Sequence, residues 1–154
     1  MESGERRAYA YSGKLTVDFL LDRVQAMSRY FENDLTQTVI FYAIWRANVQ
    51  HLFDAGVDFD GAFPHLDKDR KPVTVLEVSH QTAIPYETTR RHVNRLIARK
   101  VCVRRAEGVY IPASAFIEAS HFSAVLENRK ALEQLVQDCL THGVNSSPEK
   151  SQIA

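Results

Sequence analysis

The chain has 154 residues, 45% of them hydrophobic and 25% charged, which suits one core-bearing domain and excludes a wholly disordered chain. Its 19 basic and 19 acidic residues cancel but are unevenly spread, with net −4 over residues 1–67, +7 over 68–105 and −3 over 106–142. A uniformly charged surface is thereby excluded, whereas a basic block between acidic flanks is the footprint of a localised phosphate-facing patch.

Residues 1–12 are polar and are predicted to be disordered. Met1-Glu-Ser-Gly-Glu-Arg-Arg7 has no apolar core behind it, so no secretory signal is expected. No run of about 18 uncharged apolar residues occurs, so nothing is expected to span a membrane and the expected location is cytoplasmic. Residues 13–56 are predicted to form helices that serve as core and as a dimerisation surface. In the first, Val17, Leu20, Leu21, Val24, Met27 and Phe31 recur at helical spacing behind Thr16 as a cap. The second runs from Leu35 to Asp54, with Asp34 as N-cap and Gly56 closing it. It is apolar over more than one face, as a central or shared helix would be. Phe41, Tyr42 and Trp45 could line an effector pocket, although aromatics at that spacing more often make plain core.

A connecting loop is predicted over residues 57–72. Its Asp58-Phe-Asp-Gly61 is a polar turn, because the glycine comes too early for a calcium loop. Next, Thr74 and Glu77 have capping-box spacing, followed by Val75, Val78 and the small Ser79 on one side of a short helix. A turn through Gln81-Thr-Ala83 leads to a second helix over 85–100, in which Pro85 suits the first turn. At 100° per residue, Thr89, Val93, Leu96 and Ile97 share a core-facing stripe. Glu87, Thr88, Arg91, Asn94, Arg95 and Ala98 fall opposite, with Arg90 on the flank. Arg and Asn are the side chains suited to bidentate contact with guanine and adenine edges. Val101-Cys-Val-Arg-Arg-Ala-Glu-Gly-Val-Tyr-Ile-Pro112 then reads as a hairpin, with Val101 and Val103 alternating with Cys102 and Arg104.

Residues 73–112 thus resemble the winged helix-turn-helix of bacterial transcriptional regulators. The phrase Ile84-Pro-Tyr-Glu-Thr-Thr-Arg-Arg-His-Val-Asn-Arg-Leu96 is similar to the I-P-x-x-T-x-R-R-x-[VL]-x-x-L core of many such helices. The resemblance covers about a quarter of the chain. Ala83 stands where many such motifs carry glycine, and a left-handed backbone there would cost alanine about 1 kcal/mol. What the resemblance implies is DNA in the major groove against the second helix. Arg91, Asn94 and Arg95 would meet base edges, with Glu87 on the same face. Tyr86, Thr88, Arg90 and the hairpin residues Arg104 and Arg105 would hold phosphates.

After the hairpin, residues 113–143 are predicted as one long helix with an apolar stripe from Phe116 through Phe122, Leu126, Leu135 and Cys139 to Leu140. So much apolar helix suggests dimerisation. The order helix, helix, helix-turn-helix, wing, helix resembles MarR-type regulators, although the 57–72 connection is longer and only one long helix follows the wing. Residues 144–154 are a polar tail expected to be disordered. The fold class expected is mainly α with a small β-hairpin, a winged helix-turn-helix flanked by N- and C-terminal helices.

Other chemistry is weakly signalled. Six histidines show no paired ligand spacing, so no metal or other cofactor is expected. With no phosphate cradle, nucleophile elbow or carboxylate pair, enzymatic activity is not expected. Cys102 and Cys139 fit unreactive thiols in a reducing cytoplasm. The expected function is sequence-specific DNA binding by a homodimeric transcriptional regulator, with a small-molecule effector as a further partner. The alternative is a winged-helix protein-interaction module without DNA binding.

Overall fold

The computed structural model describes residues 3–56, 67–116 and 119–144, which are mainly helical with one small antiparallel hairpin. Chain order is α1 (Ser3–Ser28), α2 (Leu35–Asp54), α3 (Val75–Thr82), α4 (Tyr86–Ala98), β1 (Val103–Arg105), β2 (Gly108–Tyr110) and α5 (Ala119–Thr141). Short 3-10 turns fall at Arg29–Phe31, Asp67–Asp69 and Ala113–Phe116. Two units are distinguishable, residues 27–123 and the pair of segments 1–26 with 124–154, so the boundaries fall inside α1 and α5.

The 27–123 unit holds the buried core. Asp34 starts α2 by accepting from the Gln37 amide at 2.9 Å, as its N-cap position predicts. Gly56 follows the end of α2 with φ +62°, the left-handed geometry expected of a residue closing a helix. Ile40, Phe41 and Ile44 are fully buried on α2 and meet Val78 of α3, Val93 and Leu96 of α4, and Val109 and Ile111 of the hairpin. Burial of each such side chain is worth about 1.5–3 kcal/mol. Phe41 packs tilted on Phe31 and Phe116, with ring centroids 5.1 and 5.7 Å away, so this aromatic is core rather than pocket lining.

The hairpin is joined to the segment before α3. Val73 and Val109 exchange backbone hydrogen bonds of 2.9 and 2.8 Å, which adds a bridge beside β2. Buried Asn48 of α2 fastens the same place. Its Nδ2 donates to the carbonyls of Lys71 at 2.7 Å and Val109 at 3.2 Å, and its Oδ1 accepts from the Ile111 amide at 2.9 Å. Sequence periodicity did not single out Asn48, a polar residue on an otherwise apolar helix.

The alternation expected of the hairpin fails at its start. Lys100 is left-handed (φ +61°), its amide bonds to the Ile97 carbonyl, and the Val101 amide bonds to that of Leu96. This is a Schellman ending built on lysine instead of glycine. It turns the chain back onto the core, so Val101 and Cys102 are both buried and the strand begins only at the exposed Val103. Accordingly α4 ends at Ala98, two residues short of the predicted 100.

The other unit pairs parts of α1 and α5 in antiparallel fashion. Tyr11 stacks on His142 with centroids 3.9 Å apart, and Arg23 donates to Asn128 at 3.1 Å. Residues 1–12 were expected to be disordered, yet α1 begins at Ser3. Arg7 over the Tyr11 ring, and that ring on His142, give the polar turns a surface to lie on. Thr16 is therefore mid-helix and caps nothing. Of the stripe read as both core and dimerisation surface, Phe31 is core and most of the rest is not. Tyr11, Leu15, Phe19 and Arg23 are half-buried toward α5, whereas Val17, Leu20, Leu21 and Val24 point outward and are exposed. On α5, Leu126, Leu132, Val136 and Leu140 are likewise exposed. The loop turn Asp58–Gly61 and the tail 145–154 lie outside the described residues. Among the described residues, no helix is long and apolar enough to cross a membrane.

Candidate nucleic-acid interface

The capping box at Thr74 and Glu77 is complete, and Thr74 holds the Glu77 carboxyl below its usual range by hydrogen bonding. It sets the start of α3. The turn to α4 is held by hydroxyls. Ser79 Oγ donates to the Ile84 carbonyl at 2.7 Å, and Thr89 Oγ1 lies 3.2 Å from the carbonyls of Ile84 and Pro85. Ala83 adopts the left-handed conformation (φ +55°, ψ +22°) usually left to glycine. Pro85 sits one residue ahead of the first turn, as N-cap, and offers no side-chain cap to the α4 amides.

Helix α4 divides as its periodicity implies. Thr89, His92, Val93 and Leu96 are buried, Ile97 is half-buried, and Glu87, Arg90, Arg91, Asn94 and Arg95 are exposed, with Thr88 intermediate. An open depression of about 540 Å³ is lined by Glu87, Thr88, Arg90, Arg91, Asn94, Arg95 and Ala98. Three arginines against one glutamate make it electropositive. Tyr86 stands exposed at the head of the helix.

Within this surface the side chains are not equivalent. Arg90 pairs with Glu87 at 2.8 Å, so the flank arginine is partly neutralised. Arg95 lies 3.9 Å from Asp34. Among the described residues, Arg91 has no hydrogen-bond or ion-pair partner, which leaves its donors open to a ligand.

The two hairpin arginines stand at the end of β1, next to the turn, and make different contacts. Arg104 lies opposite Val109 and donates from Nη2 to Asn94 Oδ1 at 3.1 Å. Arg105 projects from the other face and lays its guanidinium 4.1 Å from the Tyr110 ring centroid. Arg104 thus joins the α4 surface, while Arg105 stays beside it.

One feature beneath this surface escaped the sequence periodicity. His92 is buried, with Nδ1 3.2 Å from Gln37 Oε1 and 3.7 Å from Asp34 Oδ2. Burial lowers its pKa below the usual imidazole value, Asp34 opposes that, and Arg95 and Arg91 add to it. Cys102 is a core thiol that burial pushes up to about 12, far from a reactive thiolate.

No family model matches the chain, and neither the curated proteins nor the solved structures give a match. The site's chemistry therefore rests on its own geometry. Among the described residues, no group of three His, Cys, Asp or Glu side chains could hold a metal ion. What the surface offers is a row of hydrogen-bond donors on a rigid helix. That suits an acceptor-rich, negatively charged ligand.

Proposed function

We propose that this protein is a sequence-specific DNA-binding transcriptional regulator of winged helix-turn-helix type, with α4 as recognition helix and the β1–β2 hairpin as wing. The observation that carries this is the α4 face, where Arg91, Asn94 and Arg95 stand exposed over a fully buried stripe of Thr89, Val93 and Leu96. A helix so anchored presents donors of the kind that read base edges in a major groove. Tyr86, Thr88 and Arg90 lie at its head and flank, where phosphates run, and the exposed Arg105 of the hairpin is a further phosphate ligand. Glu87, on the same face, pairs with Arg90 at 2.8 Å and holds that arginine at the flank.

The working form is a homodimer in the cytoplasm. Exposed Val17, Leu20 and Leu21 on α1, and Leu132, Val136 and Leu140 on α5, are apolar surface that a second copy would cover. Two copies would read half-sites about one DNA turn apart, or a multiple of it.

The test is selection of bound sequences from random duplex, followed by titration at several salt concentrations. A consensus site and a falling affinity with salt are expected. Absence of any DNA binding would leave α4 as a docking scaffold for another protein.

A further inference from the structure

We infer that Arg104 sets the base preference of Asn94, turning a residue that ordinarily suits adenine into part of a donor-only unit that selects guanine. The inference rests on α4 lying in a major groove. A guanidinium carries N–H donors and no acceptor, so the Asn94 atom that meets Arg104 Nη2 at 3.1 Å is the carboxamide oxygen. An unpartnered Asn reads adenine by accepting from N6 through its oxygen and donating to N7 through its nitrogen. Here a charged donor takes one of that oxygen's two lone pairs and draws it toward the hairpin, which favours the Nδ2 amino group as the edge offered to the groove.

The neighbours reinforce this. Arg91 and Arg95 flank Asn94 on the same exposed face and add only donors. The single carboxylate of the face, Glu87, is taken up by Arg90. A guanine presents N7 and O6, two acceptors, whereas adenine would set its N6 donor against donors. The pairing is also structurally supported. Across the hairpin from Arg104 is Val109, fully buried and bonded through its backbone to Val73. Arg104 is therefore a positioning residue, supplied by the wing and acting through the recognition helix.

Selection from random duplex is performed with the unaltered protein, Asn94→Ala, Arg104→Met, Arg104→Lys and the Asn94→Ala/Arg104→Met double variant. Thermal unfolding of each verifies the fold, which an exposed position should leave intact. Expected is guanine at the position that Asn94→Ala blurs. Arg104→Met should move that position toward adenine by about 5- to 150-fold in relative preference, the range of one bidentate contact. Arg104→Lys keeps a charged donor and should keep guanine. On the guanine duplex the double variant should lose no more affinity than the worse single variant. Adenine in the unaltered protein's sites overturns the inference, and so does Arg104→Met weakening guanine and adenine duplexes by one common factor. Either outcome with a clear consensus leaves DNA reading by α4 standing. No consensus at all removes both.

Discussion

His92 lies under the arginine face with almost no exposed surface, hydrogen-bond distance from Gln37 and close to Asp34. Its folded pKa is lowered, chiefly by burial, so the unfolded chain takes up this proton first as pH falls. The contribution of neutral His92 is complete above the unfolded value of about 6.5 and is lost as pH drops from there through the lower folded value. Urea unfolding midpoints should thus fall more between about pH 7 and 5 for the unaltered protein than for His92→Gln. An equal fall in both would show that His92 is not held neutral. Ala83 gives a second residue-scale test. Its left-handed backbone costs alanine about 1–2 kcal/mol, partly offset by the greater freedom glycine has when unfolded, so Ala83→Gly should stabilise by about 0.5–1 kcal/mol in denaturant titration. The alanine was visible in the sequence as a departure from the usual glycine. That the backbone stays left-handed regardless was not, because it depends on Ser79 and Thr89 both bonding the Ile84 carbonyl across the turn.

Among the elements, α3 and α4 were the most legible, since a capping box and an apolar period are local signals. The phase of α4 makes a direct contrast. Val93→Asp places an unpaired charge in a fully buried position and should cost at least 3 kcal/mol, whereas Arg91→Ala should leave the melting temperature nearly unchanged. Exchange of these phenotypes in thermal unfolding would mean the helix is turned the other way. The hairpin was legible in existence and not in register. Gly108 has φ +147°, and a Cβ there would sit 2.4 Å from the Val73 carbonyl oxygen. Gly108→Ala should therefore cost roughly 2–5 kcal/mol, from strain plus a backbone clash, and calorimetry would detect it. The contact between Arg104 and Asn94 follows from that register and from the Schellman turn at Lys100. Neither is encoded in a pattern of apolar spacing. The start of α1 was missed for a similar reason: its first turns are polar, and what they rest on is Tyr11 against His142, more than a hundred residues apart in sequence.

At the scale of the molecule the two units differ in how they are held. The 27–123 unit has fully buried side chains from five elements, whereas the described faces of α1 and α5 between residues 3–26 and 126–144 are at most half-buried. Their outward apolar stripes should meet a second copy. Light scattering should give a dimer at micromolar concentration, and Leu20→Glu with Val136→Glu should give a monomer whose 27–123 unit still unfolds cooperatively. A dimer that survives both charges would place the interface elsewhere. Asn48 bears on the same contrast in another way. Because its one carboxamide holds α2, the chain at Lys71 and the hairpin at Val109 and Ile111, none of these can lift away while the others stay. The Ile111 amide should then exchange its hydrogen with solvent only when the whole unit opens, as slowly as amides in the middle of α2. The hairpin would then be as slow to breathe as the core, and would meet a ligand already in its final shape.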